Sequence, residues 1–149
     1  MKKIICTILS LCLFPIACIE DNLQYFPKFQ VNFQINLVTD GRALVELGGY
    51  YEKKRDLETE RVGYGGVLVY HTILDSYTAF DRACPVDVPE ICLISAPNDK
   101  GIVTCNKCGS TFNIFYGNGN PESGPAINKK RILKPYKTSL SGTKLNVYN

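Results

Sequence analysis

Four cysteines in the second half of the chain, Cys84, Cys92, Cys105 and Cys108, are the residues best equipped for chemistry. The last two stand in Cys105-Asn106-Lys107-Cys108-Gly109-Ser110. A Cys-x-x-Cys pair followed by glycine forms a tight turn that aims two thiolates at one metal. The glycine accepts the positive φ of such a turn, and backbone N–H groups then face the sulfurs. His71 is the only histidine in the chain, so a metal site here relies almost wholly on sulfur.

The N-terminus decides which redox environment those thiols meet. Lys2 and Lys3 precede an apolar stretch from Ile4 to Ile16 that is too short to span a bilayer and has the layout of an export signal over residues 1–17. It ends in Pro15-Ile16-Ala17-Cys18, which resembles a bacterial lipoprotein signal apart from Pro15, where leucine is more common. That resemblance implies cleavage before Cys18, acylation of Cys18, and anchoring to a membrane without spanning it. An ordinary secretory peptide cut near Ala17 is the alternative. Ile19 rather than Asp after the cysteine, by the same resemblance, favours the outer membrane of the cell envelope.

Cleavage there also removes two of the 17 basic side chains and none of the 14 acidic ones. The remaining charge is nearly balanced and gives no reason to expect nucleic acid as a partner. With Cys6 and Cys12 lost and Cys18 lipidated, four cysteines remain, a number that suits a metal site or two disulfides in an oxidising compartment.

The elements that must position these cysteines read as short strands. Residues 18–30 suggest a tether, and 31–149 one domain. Val31-Asn32-Phe33-Gln34-Ile35-Asn36-Leu37 alternates apolar and polar without a break, as a half-buried antiparallel strand does. Ala43–Leu47 is a shorter strand candidate, and the charged stretch Glu52–Arg61 reads as a solvated loop or short edge hairpin. Val67–Thr72 and Tyr77–Asp81 are β-rich runs on either side of the turn residues Asp75-Ser76.

Ile102–Thr104 leads into the second cysteine turn, and Phe112–Phe115 leaves it, closed by the loop Gly117–Pro121. Ile132–Tyr136, Thr138–Leu140 and Leu145–Tyr148 complete the set, with Ser141-Gly142 as a hairpin turn. No apolar run keeps a helical period over three turns after the signal, so the expected fold class is all-β.

From Gly65 onward the chain resembles a Rieske-type iron–sulfur domain. The resemblance rests on an ordered series: Cys105-Asn106-Lys107-Cys108-Gly109-Ser110-Thr111-Phe112-Asn113, Gly117, Gly124-Pro125-Ala126, Leu133, Tyr136 and Leu145-Asn146-Val147. Upstream, Tyr77–Pro85 matches the strand entering the first ligand turn. The family implies a small antiparallel β-sandwich or barrel with a two-loop subdomain that holds the metal.

The ligand set departs from the family pattern of two cysteines and two histidines. Val86 stands where the first histidine belongs and Cys108 replaces the second. The resemblance then makes Cys92 the fourth ligand, because it lies in an enlarged first turn with seven residues between it and Cys84; Asp87 is the second candidate. Four thiolates hold a [2Fe–2S] cluster or a tetrahedral Zn²⁺ equally well, and disulfides on a degenerate scaffold need no metal at all. The family also assigns Ser110 a hydrogen bond to a cluster sulfur, and gives Gly124 and Pro125 a place in the loop that shields the cluster from water.

Other features carry less. His71 reads as a strand residue with a satisfied ring, and Lys129-Lys130-Arg131 as a solvated loop. There is no Gly-x-Ser-x-Gly elbow, no phosphate loop, and no room for the separate catalytic iron domain of an oxygenase. The expected function is therefore electron transfer or redox sensing with an unknown redox partner, not enzymatic catalysis. A non-redox surface lipoprotein stabilised by zinc or disulfides is the alternative.

Overall fold

The computed structural model describes residues 25–57 and 60–149. The signal expected over 1–17 and the lipidation expected at Cys18 lie outside the described residues. Among the described residues, no helix is long and apolar enough to cross a membrane.

Among the described residues, nine strands run in chain order: β1 (Asn32–Asn36), β2 (Tyr50–Lys53), β3 (Val67–His71), β4 (Tyr77–Asp81), β5 (Ile102–Thr104), β6 (Thr111–Asn113), β7 (Asn120–Ser123), β8 (Pro135–Ser141) and β9 (Lys144–Tyr148). They form a six-stranded sheet ordered β1-β9-β8-β4-β3-β2 and a three-stranded sheet ordered β5-β6-β7. Every strand pairing is antiparallel. The all-β expectation holds, and the cysteine turns flank the small sheet.

Strand β3 explains why its sequence is a continuous apolar run rather than an alternating one. All five of its residues are buried. Leu68 and Tyr70 face one hydrophobic core with Phe80, Phe112, Ile114 and Leu133. Val67 and Val69 face a second core with Ile35, Leu44, Ala79, Leu145 and Val147. Period-2 geometry thus delivers alternate residues of one strand to two cores. Burying a side chain of this size contributes about 1.5–3 kcal/mol. Cys84 and Cys105 belong to the first core, against which Cys92 and Cys108 pack as half-buried neighbours.

Several local expectations are corrected. Ala43–Leu47 is not a strand; Arg42–Val45 is a 3-10 turn that buries Leu44 alone. Val45 and Leu47 are each 57% exposed, so no face alternates with a core. Of the two readings of the charged stretch, the edge hairpin fits its start, since Glu52 and Lys53 belong to β2, which pairs with β3 from the sheet edge. The loop expected to close at Pro121 instead enters β7, an edge strand where a proline without an N–H is tolerated. Residues 132–136 and 138–140 are not two strands, because β8 is continuous from Pro135 to Ser141. The β8–β9 hairpin turns at Gly142-Thr143, one residue beyond the expected turn. One helical turn, α1 (Pro125–Asn128), follows Gly124.

The residues preceding the domain also lie against it. Phe26 is buried, and the Phe29 and Tyr64 ring centroids are 5.1 Å apart. The Arg131 guanidinium lies 3.3 Å from the centre of the Tyr25 ring, so this arginine of the basic run packs on an aromatic face.

A buried carboxylate joins the pieces next to the first cysteine. Asp81 Oδ2 accepts from Tyr64 N at 2.6 Å and from the Tyr136 hydroxyl at 2.7 Å. Its Oδ1 accepts from Gly65 N at 2.9 Å and Ala83 N at 2.8 Å. Burial pushes the Tyr136 hydroxyl well above the ordinary tyrosine range, which keeps it a donor. Asp81→Asn would set an amide NH₂ against two of these donors. It is expected to cost about 2–4 kcal/mol in urea unfolding, against about 1 kcal/mol for Tyr136→Phe, which removes a single bond.

Candidate metal centre

The first turn leaves β4 and closes on itself. Cys84 N donates to Cys92 O at 2.7 Å and Ile94 N to Arg82 O at 2.8 Å, with a β-bridge between Ala83 and Leu93. Residues 84–92 are therefore an excursion whose two ends lie side by side. This brings Cys92 back beside Cys84 despite their separation in sequence. The second turn is shorter. Cys105 N donates to Ser110 O and Gly109 N to Cys105 O, each at 2.9 Å, and Gly109 has the expected positive φ, 72°.

A bridge between Ile94 and Cys105 joins the two excursions. Lys107, on the second turn, pairs with Glu90 on the first, and its Nζ lies 4.0 Å from Asp87 Oδ1. This cationic clip was not legible in the sequence. The only available signal was that the two expected ligand turns carry side chains of opposite charge.

The sulfurs meet across the turns. Cys84 Sγ is 3.6 Å from Cys108 Sγ, and Cys92 Sγ is 3.2 Å from Cys105 Sγ. All four cysteines are free thiols. Asp87 Oδ2 lies 3.2 Å from Cys105 Sγ. Donor atoms of Cys84, Asp87, Cys105 and Cys108 all lie within 4.8 Å of one another, a set that includes Asp87 and not Cys92.

Burial pushes the Cys84 thiol strongly up and that of Cys105 up to about 12, since the apolar core disfavours a thiolate. Asp87 moves the other way. Burial raises it, but hydrogen bonds from Cys105, Cys84 and Cys108 outweigh that and hold the carboxyl below its ordinary range. The cluster thus pairs buried thiols, which must lose protons to bind metal, with a carboxylate already ionised.

The remaining expected residues fall around the second turn. Ser110 is fully buried; its Oγ accepts from Ala126 N at 3.1 Å and lies 3.2 Å from Cys108 Sγ. Pro125 opens α1, and Gly124 precedes it with φ 80°. A Cβ on Gly124 would come within 2.8 Å of Ser110 Cα, so only glycine lets this loop close on the turn. His71 lies elsewhere, at the end of β3, with its ring stacked on Tyr77 and Nε2 3.0 Å from Asp75 Oδ1. The family's two imidazole ligands therefore have no counterpart, whereas a thiolate set completed by thiolate or carboxylate has its donors in place.

No family model and no curated protein sequence matches the chain. Solved structures do. A chain from the complex of reduced oxygenase and oxidised ferredoxin in carbazole 1,9a-dioxygenase superposes with a TM-score of 0.53 at 19% identity, over 80% of this chain and 94% of that one. The quaternary ammonium Rieske monooxygenase CntA, in complex with its substrate γ-butyrobetaine, gives 0.54 at 15% identity, over 80% of this chain and 32% of that one. A further structure of a quaternary ammonium Rieske monooxygenase, one concerned with carnitine oxidation by gut microbiota, gives 0.53 at 14% identity, over 85% and 36%. The chain spans about a third of these monooxygenases and nearly all of the first match. The fold is that of a Rieske-type domain.

Gly124→Ala tests the closure of the α1 loop. Strain at positive φ together with the clash is expected to lower stability by about 1–3 kcal/mol. Thermal unfolding of the variant, with its metal content measured alongside, checks both consequences.

Proposed function

We propose that this protein is an electron-transfer protein of the Rieske type that holds an iron–sulfur centre of the [2Fe–2S] kind. Cys84, Cys105 and Cys108 supply three donors. The enlarged first turn supplies the fourth, from Cys92 as the sequence suggests or from Asp87. The observation that carries this reading is the convergence of sulfurs from both turns, with Cys84 and Cys108 3.6 Å apart and Cys92 and Cys105 3.2 Å apart. The likeness in fold to a chain from an oxygenase–ferredoxin complex supports an electron-carrying role.

Bound there, such a centre supplies one-electron redox chemistry. The protein's part is to exclude water and hold the donors. Cys84 and Cys105 are fully buried, and the Gly124–Ala126 segment closes on the second turn through Ser110. With no imidazole ligand, the centre carries more negative charge than a histidine-ligated one. Its potential should fall from the Rieske range towards roughly −400 mV and should not titrate near neutral pH.

The export signal over residues 1–17 and the cysteine at position 18 support an envelope lipoprotein, with the redox partner reached from a membrane anchor. A Cys18→Ser variant should lose incorporation of labelled fatty acid and leave the membrane fraction.

A second reading is favoured by the compactness of the donor set. Four donors within 4.8 Å of one another suit a single tetrahedral ion such as Zn²⁺, which would stabilise the fold and carry no electrons. Purification without air separates the two. The iron–sulfur form is expected to absorb in the visible, bleach with dithionite, and contain iron and acid-labile sulfide in equal amounts. A colourless protein with one equivalent of zinc would establish the second reading instead.

A further inference from the structure

Five side chains compete for four donor positions, and the geometry points to Asp87, rather than Cys92, as the fourth metal ligand. This rests on the reading that the two turns hold a metal, whether in a cluster or as a single ion. The two turns present donors at the same spacing, Cys84-x-x-Asp87 and Cys105-x-x-Cys108. Asp87 N donates to Cys84 O at 3.2 Å, closing the turn, and a carboxylate oxygen of Asp87 lies within 4.8 Å of the Cys84 sulfur.

The Asp87 carboxylate is buried among the thiols that a metal here would bind. Its side chain is only 10% exposed, and a buried carboxylate is costly unless paired or bound to a cation. Its two oxygens face different ways. Oδ2 lies 3.2 Å from Cys105 Sγ, inside the thiol cluster, while Oδ1 faces the Lys107 ammonium at 4.0 Å. A ligand carboxylate supported on its outer oxygen has this arrangement.

Distances favour the same set. Tetrahedral metal–sulfur and metal–oxygen bonds of about 2.3 and 2.1 Å place donors roughly 3.4–3.8 Å apart. Cys84 and Cys108 at 3.6 Å and Asp87 and Cys105 at 3.2 Å lie close to that range. Cys92 reaches Cys105 at the same 3.2 Å, so the contact with Cys105 does not separate the two candidates; what does is that Asp87, and not Cys92, belongs to the mutually close set with Cys84 and Cys108.

Cobalt(II) titration of the reduced full chain, without air, tests the assignment, because thiolate-to-cobalt absorption reports how many sulfurs bind. Wild type is expected to show three thiolates per cobalt. Cys92→Ser should keep that spectrum, with affinity within about 3-fold. Asp87→Asn should lose at least about 100-fold in affinity, the scale on which even an outer-shell partner of a metal ligand acts. Asp87→Cys should bind cobalt with a fourth thiolate's absorption, and it reads the assignment even if Asp87→Asn does not fold.

Loss of the spectrum in Cys92→Ser, with or without loss in Asp87→Asn, overturns the assignment while leaving the metal reading intact. Wild type that takes up neither cobalt nor a reconstituted iron–sulfur centre overturns both.

Discussion

The carboxylate of Asp81 determines where the first ligand turn begins. It receives four hydrogen bonds from three separate stretches: Tyr64 and Gly65 before β3, Ala83 at the mouth of the turn, and Tyr136 on β8. Cys84 is the next residue but two. The ladder between β4 and β8 has only two residue pairs, Ala79 with Tyr136 and Phe80 with Pro135. A junction that short needs support from side chains, and the Tyr136–Asp81 bond supplies it at the same level of the sheet. A hydrogen-bonded carboxylate in an apolar setting is costly to disturb, since removing it would leave four donors without an acceptor. The position of the first sulfur therefore rests on polar chemistry that binds no metal itself.

The second turn is positioned by different means. Its backbone closes over four intervening residues, and Ser110 ties it to α1 through Ala126 N. It is joined to the first turn by the Ile94–Cys105 bridge and the Lys107–Glu90 ion pair. The bridge belongs to buried backbone, whereas the ion pair is exposed and contributes little by itself. The bridge thus sets the distance between the turns, and the lysine adds charge beside the donors.

Strands with one wet face were the most legible part of the fold. Alternation in Val31–Leu37 and Leu145–Tyr148 reports pairing to a single core, and the structure pairs those two segments as β1 and β9. Ala43–Leu47 misled because its apolar residues suggest a strand, yet the backbone there turns over Gly41 and only Leu44 is covered. β7 was hidden because Pro121 and Glu122 are poor strand formers that pairing on an edge tolerates. At the centre, the cysteines were legible from type and spacing. Which sulfur faces which was not, because that depends on the bridge between distant residues Ile94 and Cys105. The burial of Asp87 was equally hidden, since an aspartate in a turn is ordinarily solvated.

The sharing of β3 between two cores links the fate of the scaffold to that of the thiols. Leu68 and Tyr70 wall the compartment that contains Cys84 and Cys105, while Val67 and Val69, on the reverse side, wall the compartment beneath β1 and β9. A disturbance that opens one compartment thus reaches the other through their common wall. A change in packing around the sulfurs is therefore felt beneath β1 and β9 as well, through the one strand that both compartments share.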